Sequence, residues 1–581
     1  VRLYDINGKE YIDIISSWWC NLLGHCNDEV SEALKEQLDI LDHVLFANYS
    51  HKGIIELANR LAKIVPKGLN KFSFVDNGSA SVESALKMAF QYCRQNGREN
   101  KTRFMCFSDA YHGETLGALS VGALDDYSKV FEPIMLDSIK IEAPDCYRCK
   151  YGCHRDSCNC ECFIDAEEKF EKYADETCAM IIEPLVQGSA GMKIYPPLYL
   201  KKLRALCDKY DVLLIDDEIA MGYGRTGKFF AVDHADISPD IMCISKGLTN
   251  GYMAMAVVAT TDEIYNGFYD DFESNKAFMH SHTYAGNPLA ASVANATLKI
   301  MERDNIIEKA NEKAPWLNQR FHELFDDNPH VGEIRSIGLI NAIELVEEKE
   351  TKKAFDSSLR LGYRIYRKAL ERGLMLRPLG DVMYFNPPLV ITKEELEKWG
   401  AYIDPETLSI RFTGVNVSFK DYDDQIPQKY KDILDDFFPR LIEVLKNDKY
   451  RNEIEEIRIE GHSNPSDGID LKTGRRYKAG DDLDYSTGID LSQRRTANVL
   501  NYCLDNFTSS KEEKEWVRKH IAANGYSLSK PIYIRDSENN IVLDSKTGEP
   551  MIDKAATRRV EFRIKTNSDK IVQQFQKING N

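Results

Sequence analysis

The stretch VLLIDDEIAMGYGRTGKFFAVDHADISPDIMCISKG, Val212–Gly247, decides the fold. It opens with an apolar run that stops at Asp216-Asp217-Glu218. It closes with a second run, Ile241–Ser245, that stops at Lys246-Gly247. Short apolar runs without polar alternation read as strands buried on both faces, as in a parallel sheet covered by helices. Working outward, FSFV (Phe72–Val75) leads into a helical pattern with Val82, Ala85, Leu86, Ala89, Phe90 and Cys93 on one face. AMII (Ala179–Ile182) and a helix around Tyr199–Tyr210 continue the alternation. At the N-terminus VRLYDINGKEYID reads as strand, turn and strand. The expected fold class is α/β with a mostly parallel sheet.

Ligands of such sheets sit at the carboxyl ends of the strands. Those ends carry Asp76-Asn77-Gly78-Ser79, Glu183-Pro184, Asp216-Asp217-Glu218 and Lys246-Gly247. Desolvation at a strand end lowers a lysine's pKa and makes Lys246 a usable nucleophile; the alternative is a surface lysine that snorkels. Asp217 needs a positive partner if buried, either a protonated pyridine nitrogen or Arg225. Gly78-Ser79 opens a helix whose free amides and dipole favour a phosphate, or it is an ordinary N-terminal cap. Gly222–Gly227 fits GxGxxG, but KFFAVDHADISPD follows without a helical face, against a dinucleotide site. Together a phosphate cradle, a strand-end Asp and a strand-end Lys supply the three points that hold a pyridoxal cofactor. Tyr111-His112-Gly113 offers an aromatic face for its ring.

The chain of 581 residues has 43% apolar and 29% charged types, which excludes a disordered or collagenous chain. A formal charge of −17 argues against nucleic acid or an anionic membrane as main partner. The longest apolar run, around Tyr252–Ala259, is far short of a membrane helix. No signal-peptide pattern is present, and scattered cysteines suit a reduced compartment, so the expected localisation is cytoplasmic. The chain begins at Val1, which reads as truncation upstream. Composition changes near residue 400, and Pro465–Gly488 reads as an exposed insertion.

The strings SSWWCNLLGH (Ser16–His25), DNGSASVESALKMAFQYC (Asp76–Cys93), DAYHGETLGALS (Asp109–Ser120), IIEPLVQG (Ile181–Gly188), ISKGLT (Ile244–Thr249), HSHTYAGNPLA (His280–Ala290) and LRPLGDVMYFNPP (Leu376–Pro388) closely resemble class III pyridoxal-phosphate aminotransferases. The resemblance runs from residue 1 to about 398 and implies the fold-type-I architecture. Implied domains are 1–40 (part of the small domain), 41–297 (large, cofactor-binding) and 298–398 (rest of the small domain, its last helix missing). It implies Lys246 as the amine that joins the cofactor's aldehyde and later moves the proton. Asp217 is implied at the pyridine nitrogen, Ile219 under the ring, and Tyr111 stacked on it and touching substrate. Gly78 and Ser79 are implied at the phosphate, joined across a homodimer by His282 and Thr283. Trp18, Ser281 and Arg377 are implied substrate contacts, Arg377 pairing with the acceptor's carboxylate. The biotin-synthesis branch is the most similar, implying S-adenosylmethionine as donor and 8-amino-7-oxononanoate as acceptor. Another ω-aminotransferase with a different donor is the alternative. The branch's N-terminal segment, with a substrate-contacting Tyr in a His-Pro-aromatic-Thr motif, is absent, as the expected truncation implies.

Six cysteines, Cys146, Cys149, Cys153, Cys158, Cys160 and Cys162, crowd one loop. They read as a metal site, as reduced thiols or as disulfides. Residues 402–581 carry IRIEGHSN, GIDLSQRRTANVLNYCL, ANGYSLSKP and ATRRVEFRI, which resemble OmpA-like (MotB-like) peptidoglycan-associated domains, β/α sandwiches. Arg495 keeps the ligand-gripping arginine, but Asn464 replaces the Asp, and an amide cannot pair with an ammonium as a carboxylate does. The implied outcome is a retained fold with a lost or altered peptidoglycan ligand. A rival reading is a wall-binding or motor-associated module with a non-functional enzyme domain. The abrupt junction reads as a gene fusion or an assembly artefact.

Overall fold

The computed structural model describes residues 1–392, 395–396, 401–404, 409–412, 419, 424–445, 454–462, 468–469, 476–477, 482–507, 509–526, 550–551 and 559–566. Two compact units divide at Ile391/Thr392, slightly before the change in composition.

In the first unit the strands run, in chain order, β1 (Arg2–Tyr4), β2 (Glu10–Asp13), β3 (Leu69–Val75), β4 (Arg103–Phe107), β5 (Ile139–Ile141) and β6 (Thr177–Ile182). Next come the short β7 (Val186–Gln187) and β8 (Lys193–Ile194), then β9 (Leu213–Asp217), β10 (Ile241–Ile244) and β11 (Ala256–Thr261). The last are β12 (Val331–Ile337), β13 (Ile340–Leu345), β14 (Leu374–Met375) and β15 (Val382–Phe385). A seven-stranded sheet has the order β3-β11-β10-β9-β6-β4-β5. Its pairings are parallel from β10 across to β5, and β11 alone runs against its neighbours.

Both faces are covered, and the strand residues follow: β6 and β10 are buried along their whole length. Helix Gly78–Gln95 packs Val82, Ala85, Leu86, Ala89 and Cys93 into this core. Phe90 is a correction. It is 38% exposed, because the residue sits at the edge of the apolar stripe, where the helix turns toward water. Asn77 caps this helix, its side chain accepting from the Ala80 N–H at 3.0 Å, worth about 1 kcal/mol.

A second, antiparallel sheet, β12-β13-β15, and a small one, β1-β2-β14, sit in the same unit. β2 pairs in parallel with β14, Ile12 opposite Leu374. The N-terminal residues therefore close on the end of the unit, which brings Ser16–Asn21 to the large sheet's edge of chemistry.

The second unit contains β16 (Ala401–Asp404), β17 (Ser409–Phe412), β18 (Ile454–Gly461), β19 (Gly468–Ile469), β20 (Arg476–Tyr477), β21 (Ile521–Gly525) and β22 (Val560–Thr566). Its main sheet has the order β16-β17-β22-β18-β21. Helices Gln428–Leu445 and Asp482–Asn506 share a core with it through Tyr430, Phe438, Val499, Ile457 and Phe562. The expected insertion Pro465–Gly488 is corrected at its end: the helix begins at Asp482. Among the described residues no helix is long and apolar enough to cross a membrane.

Candidate active site

The carboxyl ends of β3, β4, β6, β9 and β10 converge on one cavity of about 190 Å³. Gly78, Ser79, Tyr111, Asp217, Ile219 and Lys246 all line it, joined by Trp19, His112 and Glu183.

Each residue is held by its neighbours. Asp217 ends β9 and is buried; its Oδ2 accepts from the His112 Nδ1–H at 2.7 Å, and its Oδ1 from the Ile219 N–H at 3.1 Å. The alternative partner, Arg225, does not reach it. Arg225 is buried and donates to Ser16 Oγ, Pro387 O and Asn21 O. Glu183, after β6, accepts from the Tyr111 and Gly188 N–H groups at 3.0 Å each. Burial pushes its carboxyl up to about 7. The adjoining Glu218 is pushed up to about 8, chiefly by burial, and Asp216 is driven well above the carboxylate range by burial and by its acidic neighbours.

Lys246 follows β10 in the left-handed region, φ 42°, a conformation that costs about 1–3 kcal/mol and clusters at functional sites. Loss of water holds its amine below the ordinary lysine range, partly offset by Asp217 and Glu183. Nζ lies 4.8 Å from the centroid of the Trp19 ring.

Trp19 reaches Lys246 because Ser16, Ser17 and Trp19 all adopt positive φ, 53°, 61° and 63°. That irregular turn is pinned by the Asp13 carboxylate, which accepts from the Ile15 and Ser17 N–H groups. Arg225 holds it from the other side. The Trp19 Nε1–H donates to Tyr384 Oη at 2.9 Å.

Trp18 points elsewhere: it is 61% exposed and lies outside the residues that line this cavity. The Arg377 guanidinium stacks on it at 4.8 Å, so these two residues meet each other. Ser281, His282 and Thr283 line a different cavity of about 930 Å³, with Phe46, Lys71 and Phe278. There the His282 Nδ1–H donates to Asp76 Oδ2 at 2.8 Å. Sequence reasoning named Glu183 only as a strand end and gave Trp19 and His112 no role. The Trp pair and the Tyr-His-Gly string were the available signals.

A phosphorylated pyridine fits these residues. The amides of Gly78 and Ser79, ahead of the Ala80 N–H that Asn77 caps, open helix Gly78–Gln95 toward a phosphate. Gly78 leaves room that a Cβ would lose against Ile219, at 3.1 Å, and a Cβ on Gly113 would collide with the Ser79 hydroxyl. His112 Nε2, buried, finds no hydrogen-bond partner among the described residues, as a group awaiting a ligand would.

The aminotransferase class-III family matches residues 1–404. The chain belongs to the class III aminotransferases, enzymes that use pyridoxal phosphate. It is 44% identical over 398 residues to the adenosylmethionine-8-amino-7-oxononanoate aminotransferase of Geobacter sulfurreducens, covering 68% of this chain and 87% of that protein. The protein of the same name from Methanocaldococcus jannaschii is 40% identical over 405 residues, covering 68% and 88%. A crystal structure of the latter superposes with a TM-score of 0.64 at 39% identity, covering 68% of this chain and 88% of that one. The omega transaminase of Pseudomonas jessenii in complex with PMP gives 0.66 at 31%, with 68% and 88% covered. The rival reading of a module with a non-functional enzyme domain finds no support in the assembled site.

In the second unit Arg495 is buried, with its guanidinium 5.0 Å over the Phe419 ring. Asn464 lies outside the described residues.

Proposed function

We propose that this aminotransferase moves an amino group from S-adenosylmethionine to the ketone of 8-amino-7-oxononanoate, giving 7,8-diaminononanoate for biotin synthesis. The observation that carries the reading is the 40–44% identity, over about 400 residues, to relatives bearing that name. Arg377 beside Trp18 supports it, because a guanidinium with an aromatic backing suits the carboxylate end of a long acceptor.

Pyridoxal phosphate, when bound, supplies the electron sink for the carbon that gains or loses the amino group. This chain's residues do the rest. Lys246, desolvated and therefore readily deprotonated, gives and takes the proton at that carbon. Asp217, fixed by His112 and by the Ile219 N–H, stabilises positive charge on the pyridine nitrogen. Trp19 covers the lysine and excludes water. Gly78 and Ser79 bind the phosphate with backbone amides.

We infer a homodimer in which His282 and Thr283 face the other subunit's phosphate. Their place in a separate cavity, away from Lys246, supports this. For the second unit we infer an OmpA-like sandwich, supported by its mixed sheet backed by two helices; a ligand is not assigned.

The test is a donor comparison. Purified protein with the keto acid should yield the diamine fastest with S-adenosylmethionine. Faster turnover with lysine would favour the second reading, another ω-aminotransferase, which the likeness to omega transaminases at TM-score 0.66 keeps in view.

A further inference from the structure

Glu83 stands on helix Gly78–Gln95, four residues after Ser79. Residues four apart on a helix share a face, so the face that opens on the cavity at Ser79 continues to Glu83. Residues 111–120 dock on that face at two places.

At the first, the Glu114 N–H donates to Ser79 Oγ at 3.4 Å, next to the Gly113 contact already described. At the second, Glu83 Oε1 accepts from the Gly117 N–H at 2.7 Å and from the Ala118 N–H at 3.3 Å. A Cβ on Gly117 would collide with the Glu83 carboxylate, so only glycine lets that carboxylate come so close to the backbone.

The second contact has a definite job. Helix Leu116–Ser120 starts from Thr115, whose side chain makes no capping hydrogen bond. Gly117 and Ala118 are its second and third residues, and their amides are the ones a capping side chain ordinarily takes. Glu83 takes both from a different helix. Its charge strengthens the two bonds and meets the positive end of the helix dipole.

The segment held in this way begins with Tyr111 and His112, which line the cavity with Lys246. His112 in turn holds Asp217. Glu83 itself lies outside the residues lining that cavity, so it acts through the residues it holds.

We propose that Glu83 is a positioning residue for cofactor binding. By capping Leu116–Ser120 from outside, it keeps Tyr111 and His112 in register with the phosphate-binding turn at Gly78 and Ser79. The proposal rests on the cofactor placement given above and is independent of which amino donor the enzyme prefers.

Two measurements on the full chain test it: titration of the apoprotein with pyridoxal phosphate, and hydrogen exchange of the apoprotein by mass spectrometry. Glu83→Ala should weaken pyridoxal phosphate about 10-fold to 100-fold, the scale of losing hydrogen bonds to a charged group. It should also speed exchange over residues 111–120 before any cofactor is added. Glu83→Gln keeps an oxygen for the two amides and should bind the cofactor within about 5-fold of wild type. Gly117→Ala, which displaces the carboxylate without removing it, should weaken the cofactor as Glu83→Ala does. If Glu83→Ala fails to fold, Gly117→Ala and Glu83→Gln carry the comparison. Wild-type affinity in Glu83→Ala or Gly117→Ala, exchange unchanged over 111–120, or Glu83→Gln as weak as Glu83→Ala would overturn the proposal. A lower thermal stability with unchanged cofactor affinity, the mark of a purely structural contact, would overturn it too. A cofactor trapped by borohydride on a lysine other than Lys246 in the wild-type protein would overturn the placement beneath it, and the proposal with it. With the label on Lys246, the other outcomes count against Glu83 alone.

Discussion

The Nδ1–H of His112 donates to Oδ2 of Asp217 at 2.7 Å, in a pocket where both side chains are buried. The bond ties the loop after β4 to the end of β9 and leaves one Asp217 oxygen bonded only to the Ile219 amide. A buried carboxylate that accepts two hydrogen bonds is fixed in place.

Replacing that carboxylate should therefore hurt more than replacing its support. Asp217→Asn should lower kcat by about 10²–10³-fold, the scale of losing a dedicated electrostatic stabiliser. His112→Ala should cost less, about 10-fold to 100-fold, matching about 1–3 kcal/mol for one charged hydrogen bond. Single-turnover rates of the two half-reactions, with pyridoxal phosphate saturating, check both.

Trp19 and Arg377 should separate in their effects. Trp19→Phe removes the bond to Tyr384 and thins the cover over Lys246, so kcat should fall about 10-fold with little change in KM. Arg377→Lys should leave the donor half-reaction near normal. It should raise KM for a carboxylate-bearing acceptor about 10-fold, the equivalent of about 1.4 kcal/mol. Equal loss in both half-reactions would argue against a role in acceptor binding.

Glu183 makes stability pH-dependent in a defined direction. Its native pKa of about 7 lies above the ordinary 4.5, so the native state holds this proton more tightly than the unfolded chain. Stability is then highest below about pH 4.5, falls as pH rises toward 7, and levels off above it. In the apoprotein Glu183→Gln should remove roughly 3 kcal/mol of that decline. Denaturant unfolding at pH 5 and pH 8 measures the difference between the two proteins.

Arg225 is expected to be a folding residue. Its three hydrogen bonds hold Ser16, Asn21 and Pro387, and burial lowers its pKa to about 10. Arg225→Ala should destabilise the enzyme unit by on the order of 3 kcal/mol. It should also lower activity by releasing Trp19. Thermal unfolding of the variant, compared with wild type, reads the first effect.

Buried parallel strands announce themselves as apolar runs, and their polar ends are the site, which is why Asp217, Lys246 and Gly78-Ser79 were legible in sequence. The antiparallel β11 was not, because AVVATT (Ala256–Thr261) is as apolar as its parallel neighbours. Nor could sequence choose Trp19 over Trp18. That choice rests on the positive φ angles at Ser16, Ser17 and Trp19, which break any periodic assignment of faces. The His112–Asp217 bond spans 105 residues, so only the assembled sheet brings it together. The cysteines were visible as a cluster, but that all six are free thiols around one small cavity required the loop's path.

We assign the Lys246 amine as the covalent anchor of the cofactor. Borohydride reduction of the protein with bound pyridoxal phosphate, followed by peptide mass mapping, tests it most directly. The pyridoxyl mass should appear on the peptide containing Lys246 and vanish in Lys246→Ala. Finding it on another lysine, or undiminished in the variant, would contradict the assignment.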